Sequence, residues 1–243
     1  MDAAQDCQGI TVHVASFGNE GTSVFYASMP CGPCVARTHK GCGVNGAGAH
    51  KIRLISVLWD QLVAMESSVR EHCQSSNRAA LNIQIVHGPL GRPQLLWGDY
   101  GGPAISFSEG GGKVWAALCG DESEIGIDVS EADEFKGEYP YRRAFHAQEL
   151  QHALKVAGGD LEKASALLWS IKEATVKALG CAFHLVDPLE IYVYPPTGEE
   201  GEYTFPVGLS RKTLARVPTG TGRSLWVRSL PHVKMWLSIA LLT

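Results

Sequence analysis

Three segments of this 243-residue chain hold residue types that could handle a phosphate ester. Glu173 and Lys177 stand four apart in Trp169-Ser170-Ile171-Lys172-Glu173-Ala174-Thr175-Val176-Lys177, so a helix would put both on one face. A carboxylate can bind a hard cation or take a proton, and an ammonium can neutralise a phosphate. Alone, the pair reads as an ordinary surface ion pair. Asp128 lies in the apolar run Ile125-Gly126-Ile127-Asp128-Val129. A carboxylate there suits Mg2+, which needs few protein ligands when phosphates supply the others. Alone, it reads as a cap for the following turn. Gly91-Arg92-Pro93, followed by Ser106-Phe107-Ser108, offers a guanidinium and two hydroxyls to a phosphate. Alone, that is a turn and a strand.

The cysteines suggest other chemistry. Cys31-Gly32-Pro33-Cys34 is a dithiol spacing, which works when the first thiol opens a helix. The next residues, Val35 to Lys40 and then a glycine-rich stretch, make a poor helix. A thiol redox protein is therefore only an alternative. Cys31, Cys34, Cys42 and His39 or His50 fall short of a paired zinc pattern. Gly41-x-Gly43-x-x-Gly46 lacks the preceding strand of a dinucleotide fingerprint and reads as a loop. His146 and His152 read as solvated helix positions.

The elements that must carry these residues are set by periodicity. Alternation predicts strands at Ile10–Val14, Ser23–Tyr26, Asn82–Val86, Ala104–Phe107, Lys113–Leu118 and Glu124–Val129, with Gly110-Gly111-Gly112 as a hairpin turn. Helical spacing of Ile52, Ile55, Trp59 and Leu62 predicts a helix after the glycine-rich stretch. Two more helices are predicted over roughly 138–157 and 161–179, the second capped by Asp160 and ended by Gly180. Strand signals return at Leu189–Tyr194, Leu225–Ser229 and Val233–Leu241. Strands in runs with a few long helices make the class α+β.

Composition narrows the partners. Hydrophobic residues make up 45% of the chain, so a packed core is expected. The net charge of −4 argues against nucleic acid, whose phosphates need clustered Lys and Arg. No apolar run reaches membrane-spanning length, and Met1–Asp6 lacks the features of a signal peptide. A cytoplasmic protein is expected, with its seven cysteines mostly reduced.

Taken in order, Gly91-Arg92-Pro93, Ser106-Phe107-Ser108, Gly126-Ile127-Asp128 and the Trp169-to-Lys177 helix resemble the pattern of Sfp-type 4'-phosphopantetheinyl transferases, of the holo-acyl-carrier-protein synthase superfamily. Phe145 and Glu149 fit the aromatic residue and Glu that precede the last motif helix in that family. The resemblance covers roughly residues 80–195. It implies a fold of two similar α/β halves with pseudo-twofold symmetry, here residues 1–122 and 123–243. It implies transfer of the phosphopantetheine arm of coenzyme A to a serine of an acyl or peptidyl carrier protein in fatty-acid, polyketide or nonribosomal-peptide assembly. Asp128 and Glu173 would hold Mg2+, and Glu173 and Lys177 would be catalytic. Arg92, Ser106, Ser108, Lys172 and Lys177 would bind coenzyme A. A monomer is expected.

Two positions depart from the pattern. Ser130 stands where many members have a second acid, and Phe107 replaces the His of Ser-His-Ser, which helps bind the coenzyme A phosphate. These departures motivate an alternative: a weakly active or inactive relative that binds carrier protein or coenzyme A.

Overall fold

A computed structural model of the chain describes residues 9–17, 22–31, 44–65, 83–88, 90–97, 100–120, 123–137, 139–198 and 201–243. Cys34, Cys42 and most of the glycine-rich stretch lie outside the described residues. The chain divides into two compact units, Met1–Ser123 and Glu124–Thr243. Both mix helix with antiparallel sheet, so the class is α+β.

In the first unit, β1 (Thr11–Phe17) and β2 (Thr22–Pro30) are followed by the long helix α1 (Val44–Met65). Then come β3 (Ile83–His87), β4 (Pro93–Trp97), the short β5 (Tyr100–Gly101), β6 (Ala104–Gly110) and β7 (Lys113–Cys119). The main sheet runs β1-β2-β7-β6, and β3-β4-β5 form a small second sheet. Alternation decides the buried face. Phe25 and Ala27 on β2, Ile105 on β6, and Val114, Ala116 and Leu118 on β7 meet Leu54, Ile55, Leu58 and Leu62 of α1. The β6–β7 hairpin turns at Gly111 and Gly112, both at positive φ (62° and 69°), which a tight two-residue turn requires. The helix starts at Val44, so Gly46 and Gly48 are helical rather than in a loop. Glycine's low propensity is overridden by the apolar stripe that the later turns pack onto the sheet.

The second unit begins with β8 (Glu124–Glu131) and a 3-10 turn over Ala132–Phe135. Three helices come next: α2 (Tyr141–Ala144), α3 (Ala147–Val156) and α4 (Leu161–Ala178). After a 3-10 turn at Pro188–Glu190 come β9 (Ile191–Val193), β10 (Tyr203–Leu209), α5 (Arg211–Arg216), β11 (Leu225–Pro231) and β12 (Met235–Leu242). The sheet order is β8-β12-β11-β10-β9. The helix expected over 138–157 is broken in two. Phe145 (φ −131°, ψ 140°) and His146 are extended, and the His146 N–H donates to Glu149 Oε2 (2.9 Å), which restarts the helix. Strand β10 escaped the sequence reading because it contains Pro206. That proline sits where β10 changes partner, pairing with β11 over Tyr203–Pro206 and with β9 over Val207–Leu209.

Helix α4 is the centre of this unit. Asp160 Oδ1 accepts the Lys163 N–H (3.0 Å), and Gly180 at φ 71° closes the other end. There the Cys181 and Gly180 N–H groups bond the Val176 and Lys177 carbonyls. Leu167, Ile171, Ala174 and Ala178 pack with Val227, Trp236, Ala240 and Leu242. A buried hydroxyl chain joins Ser170 of α4 to Ser238 (2.7 Å) and Ser238 to Ser229 (2.8 Å), tying the helix to two strands. Closest of all is β8. A Cβ at Gly126 would lie 1.9 Å from the Ala174 carbonyl oxygen and 2.6 Å from the Ala178 nitrogen. Only a residue without a side chain lets the helix backbone rest on this strand. Gly126→Ala should push α4 off β8 and destabilise the fold by about 1–3 kcal/mol. Thermal and urea unfolding measure this, and an unchanged midpoint would contradict the close approach.

Candidate functional site

The contact at Gly126 decides what stands opposite Asp128. Residues two apart on a strand share a face, so Asp128 points toward α4 as Gly126 does. Ala174 and Ala178 ride over Gly126. Glu173 and Lys177, each one residue earlier on the helix, overhang the strand beside them. Asp128 is 6% exposed. Lys177 Nζ lies 2.6 Å from Asp128 Oδ1 and also donates to the Ile127 carbonyl at 3.0 Å. Ser130, on the same face of β8, donates to Asp128 Oδ2 at 3.3 Å. The lysine is thus paired with the strand carboxylate rather than with Glu173 on its own helix.

Glu173 is half-buried and accepts no hydrogen bond among the described residues. Burial holds its carboxyl above the usual carboxylate range. The charge of Asp128 raises it further, Lys177 lowers it, and Glu134 raises it. Glu134, in the 3-10 turn after β8, is also raised, first by burial. The Glu131 N–H that its Oε1 accepts (2.9 Å) lowers it, and Asp128 raises it. Glu173 therefore feels two like charges, Asp128 and Glu134, against the one ammonium of Lys177. Sequence reasoning missed Glu134. Its signal was the spacing Glu131-x-x-Glu134 directly after the strand, a turn-capping pattern. Among the described residues, no group of three or more His, Cys, Asp or Glu side chains is arranged to hold a metal ion.

Lys172 needs correction. The resemblance assigned it to coenzyme A, but its side chain is 0% exposed. Its ammonium donates to the Ala144 carbonyl (3.0 Å), Glu149 Oε2 (2.9 Å) and the Pro188 carbonyl (2.8 Å). An ammonium has three donors, and all three are used inside the fold. Burial pushes its pKa down, and Glu149 pulls it back up. His146 is not a solvated helix position either. It is half-buried, its Nε2 lies 2.9 Å from the Leu189 carbonyl, and its ring stacks on Tyr192. Trp169 packs between Phe145 and Phe183, anchoring α4 as core.

The other expected residues lie in the first unit. Ser106 and Ser108 are buried on the face of β6 turned away from α1. Phe107 faces α1 and packs on its apolar cluster. Lys51 Nζ lies 5.6 Å from the Phe107 ring centroid and 3.1 Å from Glu109 Oε1. An ammonium therefore stands beside Phe107, ion-paired with Glu109. Arg92 sits half-buried in the turn between β3 and β4, behind Gly91 at φ 76°.

The structure thus brings Asp128, Glu173 and Lys177 together within the second unit, with Glu134 added and Lys172 removed. No helix among the described residues is long and apolar enough to cross a membrane. The chain is similar to the solved ACPS–CoA complex of Chronobacterium ammoniagenes at 20% identity, covering 51% of this chain and 98% of that one, with a TM-score of 0.42. The apo ACPS from the same organism also aligns at 20% identity, over 49% and 95% of the two chains, with a TM-score of 0.41. None of the curated proteins matches the chain. The family model described as the 4'-phosphopantetheinyl transferase superfamily matches residues 124–214, from the first residue of β8 into α5. That segment contains Asp128, Glu173 and Lys177, and over it the chain is similar to the 4'-phosphopantetheinyl transferase superfamily.

Proposed function

We propose that the protein transfers the 4'-phosphopantetheine group of coenzyme A to a serine of an acyl or peptidyl carrier protein, with Mg2+ as cofactor. The observation that carries this reading is the convergence of Asp128, Glu173 and Lys177 inside the segment that matches the superfamily. In the reaction the serine oxygen bonds to the β-phosphorus of coenzyme A, and the bond from that phosphorus to the bridging oxygen breaks, releasing 3',5'-ADP. The serine loses its proton to a base.

The donor set fits Mg2+. It consists of oxygens only, and Glu173 carries a half-buried carboxylate near a second one. Asp128 and Glu173 would hold the ion, and two carboxylates suffice because phosphates and water complete its shell. When bound, Mg2+ supplies positive charge to the pyrophosphate and orients it. The chain's own residues do the rest. Glu173, whose carboxyl burial and Asp128 hold above the usual carboxylate range, is the better proton acceptor for the serine. Lys177 brings a point charge to the leaving phosphate. Ser130 holds the Asp128 carboxylate by its second oxygen, where an acid would have added a further ligand. Arg92, Ser106 and Ser108 are assigned to coenzyme A, with Lys51 supplying charge beside Phe107.

The test mixes the protein with apo carrier protein, coenzyme A and Mg2+ and reads the carrier's intact mass. The expected result is a gain of one phosphopantetheine group. No gain across several carriers, with the protein folded, overturns the reading in favour of a binding module. Glu173→Gln and Lys177→Ala should each lower the transfer rate by about 100-fold or more. Unchanged rates would remove these roles even from an active protein.

Stability gives an independent check. The folded protein binds the Glu173 proton more tightly than the unfolded chain does, whose value is about 4.5. Stability contributed by this group therefore falls as the pH rises through that value toward the higher folded one. At pH 7 the charged form is a cost. Glu173→Gln should raise the melting temperature at pH 7, by about 2–4 °C for each kcal/mol relieved, and have less effect at pH 4. Mg2+ should stabilise the parent more than this variant. A variant that melts lower than the parent at pH 7 would contradict the account.

A further inference from the structure

We infer that the buried Lys172–Glu149 pair is a positioning device: it fixes the turn of α4 that carries Glu173 beside Asp128, and it touches no substrate. The inference rests on the proposed role of Asp128 and Glu173. Three separate pieces of chain converge on the Lys172 ammonium: the end of α2 through the Ala144 carbonyl, α3 through Glu149, and the 3-10 turn before β9 through the Pro188 carbonyl. Glu149 is saturated in turn. Its Oε2 also accepts the His146 N–H (2.9 Å), and its Oε1 accepts the Val193 N–H (2.9 Å). The Phe145 ring lies 5.7 Å from the ammonium.

The pair is a costly way to hold a helix. Desolvating two charges offsets most of their attraction, and apolar residues of similar volume commonly serve stability as well or better. Directional bonds add what apolar packing lacks, a defined rotation and height. Those coordinates matter here because Glu173 is the next residue. The opposite flank of the same turn rests on Gly126 through Ala174. The turn is thus gripped from two sides, and Glu173 projects between the grips.

The test is the double variant Lys172→Met with Glu149→Leu, which removes both charges and keeps the volume. It also takes partners from the Ala144 and Pro188 carbonyls and from the His146 and Val193 N–H groups, so it should melt below the parent temperature while remaining folded. Its kcat for carrier modification should fall about 10- to 100-fold while the KM for coenzyme A stays within about twofold. Its affinity for Mn2+, read by electron paramagnetic resonance without substrates, should weaken, and its crystal structure should show Glu173 displaced from Asp128. Parental kcat in the folded double variant overturns the inference. If that variant does not fold, Glu149→Gln replaces it, and parental kcat in folded Glu149→Gln overturns the inference equally. If the parent itself transfers nothing, the functional reading fails, and Glu173's position in the variant crystal still decides this one: an unmoved Glu173 overturns it.

Discussion

The site depends on how closely a helix can approach a strand. With a Cβ at position 126, the Ala174 carbonyl oxygen and the Ala178 nitrogen could not stay where they are. The helix would ride higher, and Lys177 would no longer reach Asp128 at 2.6 Å. Small residues on both surfaces make the approach possible: Gly126 on β8, with Ala174 and Ala178 on α4. The charged side chains are close neighbours of these small ones. Asp128 is two residues along the strand, and Glu173 and Lys177 are one residue back on each helical turn. One packing contact therefore positions three charged groups, because strand period and helix period are both fixed by backbone geometry.

The same helix gives opposite fates to its two motif lysines. Lys172 and Lys177 are five residues apart, so they point about 140° away from each other. One faces the layer built by α2, α3 and the Pro188 turn, and is consumed there. The other faces β8 at Asp128, and keeps part of its surface open. A motif written as a line of letters treats the two alike. The separation comes only from what each face meets, which is set by residues as far along the chain as Pro188.

This difference marks what was legible in the sequence. Asp128, Glu173 and Lys177 were legible because each lies in an element with a strong local signal: an apolar alternating strand, and a helix with a good cap at Asp160 and a glycine stop at Gly180. The β6–β7 hairpin was legible from alternation and the glycine turn between the two strands. The break at Phe145-His146 was not, because it depends on a capping bond by Glu149 whose other bonds are to residues more than twenty positions away. Strand β10 was hidden by Pro206, which is tolerated only because the strand changes partners there. Glu134 was hidden because its importance is electrostatic, and its relation to Glu173 appears only after the 3-10 turn folds back.

Charge explains why the proposed site is unfavourable for the fold. Asp128, in its buried position, is answered by Lys177 and Ser130. Glu173 has no such answer, and its neighbours Asp128 and Glu134 carry the same sign. A chain folding only for stability would place an apolar or amide group there. In the proposed reaction a cation or the serine proton would complete this carboxylate, so the local cost and the proposed chemistry have a single origin. The two buried flanks of the turn, Gly126 against Ala174 on one side and Lys172 bonded on the other, are what keep this unfavourable group from relaxing outward into water.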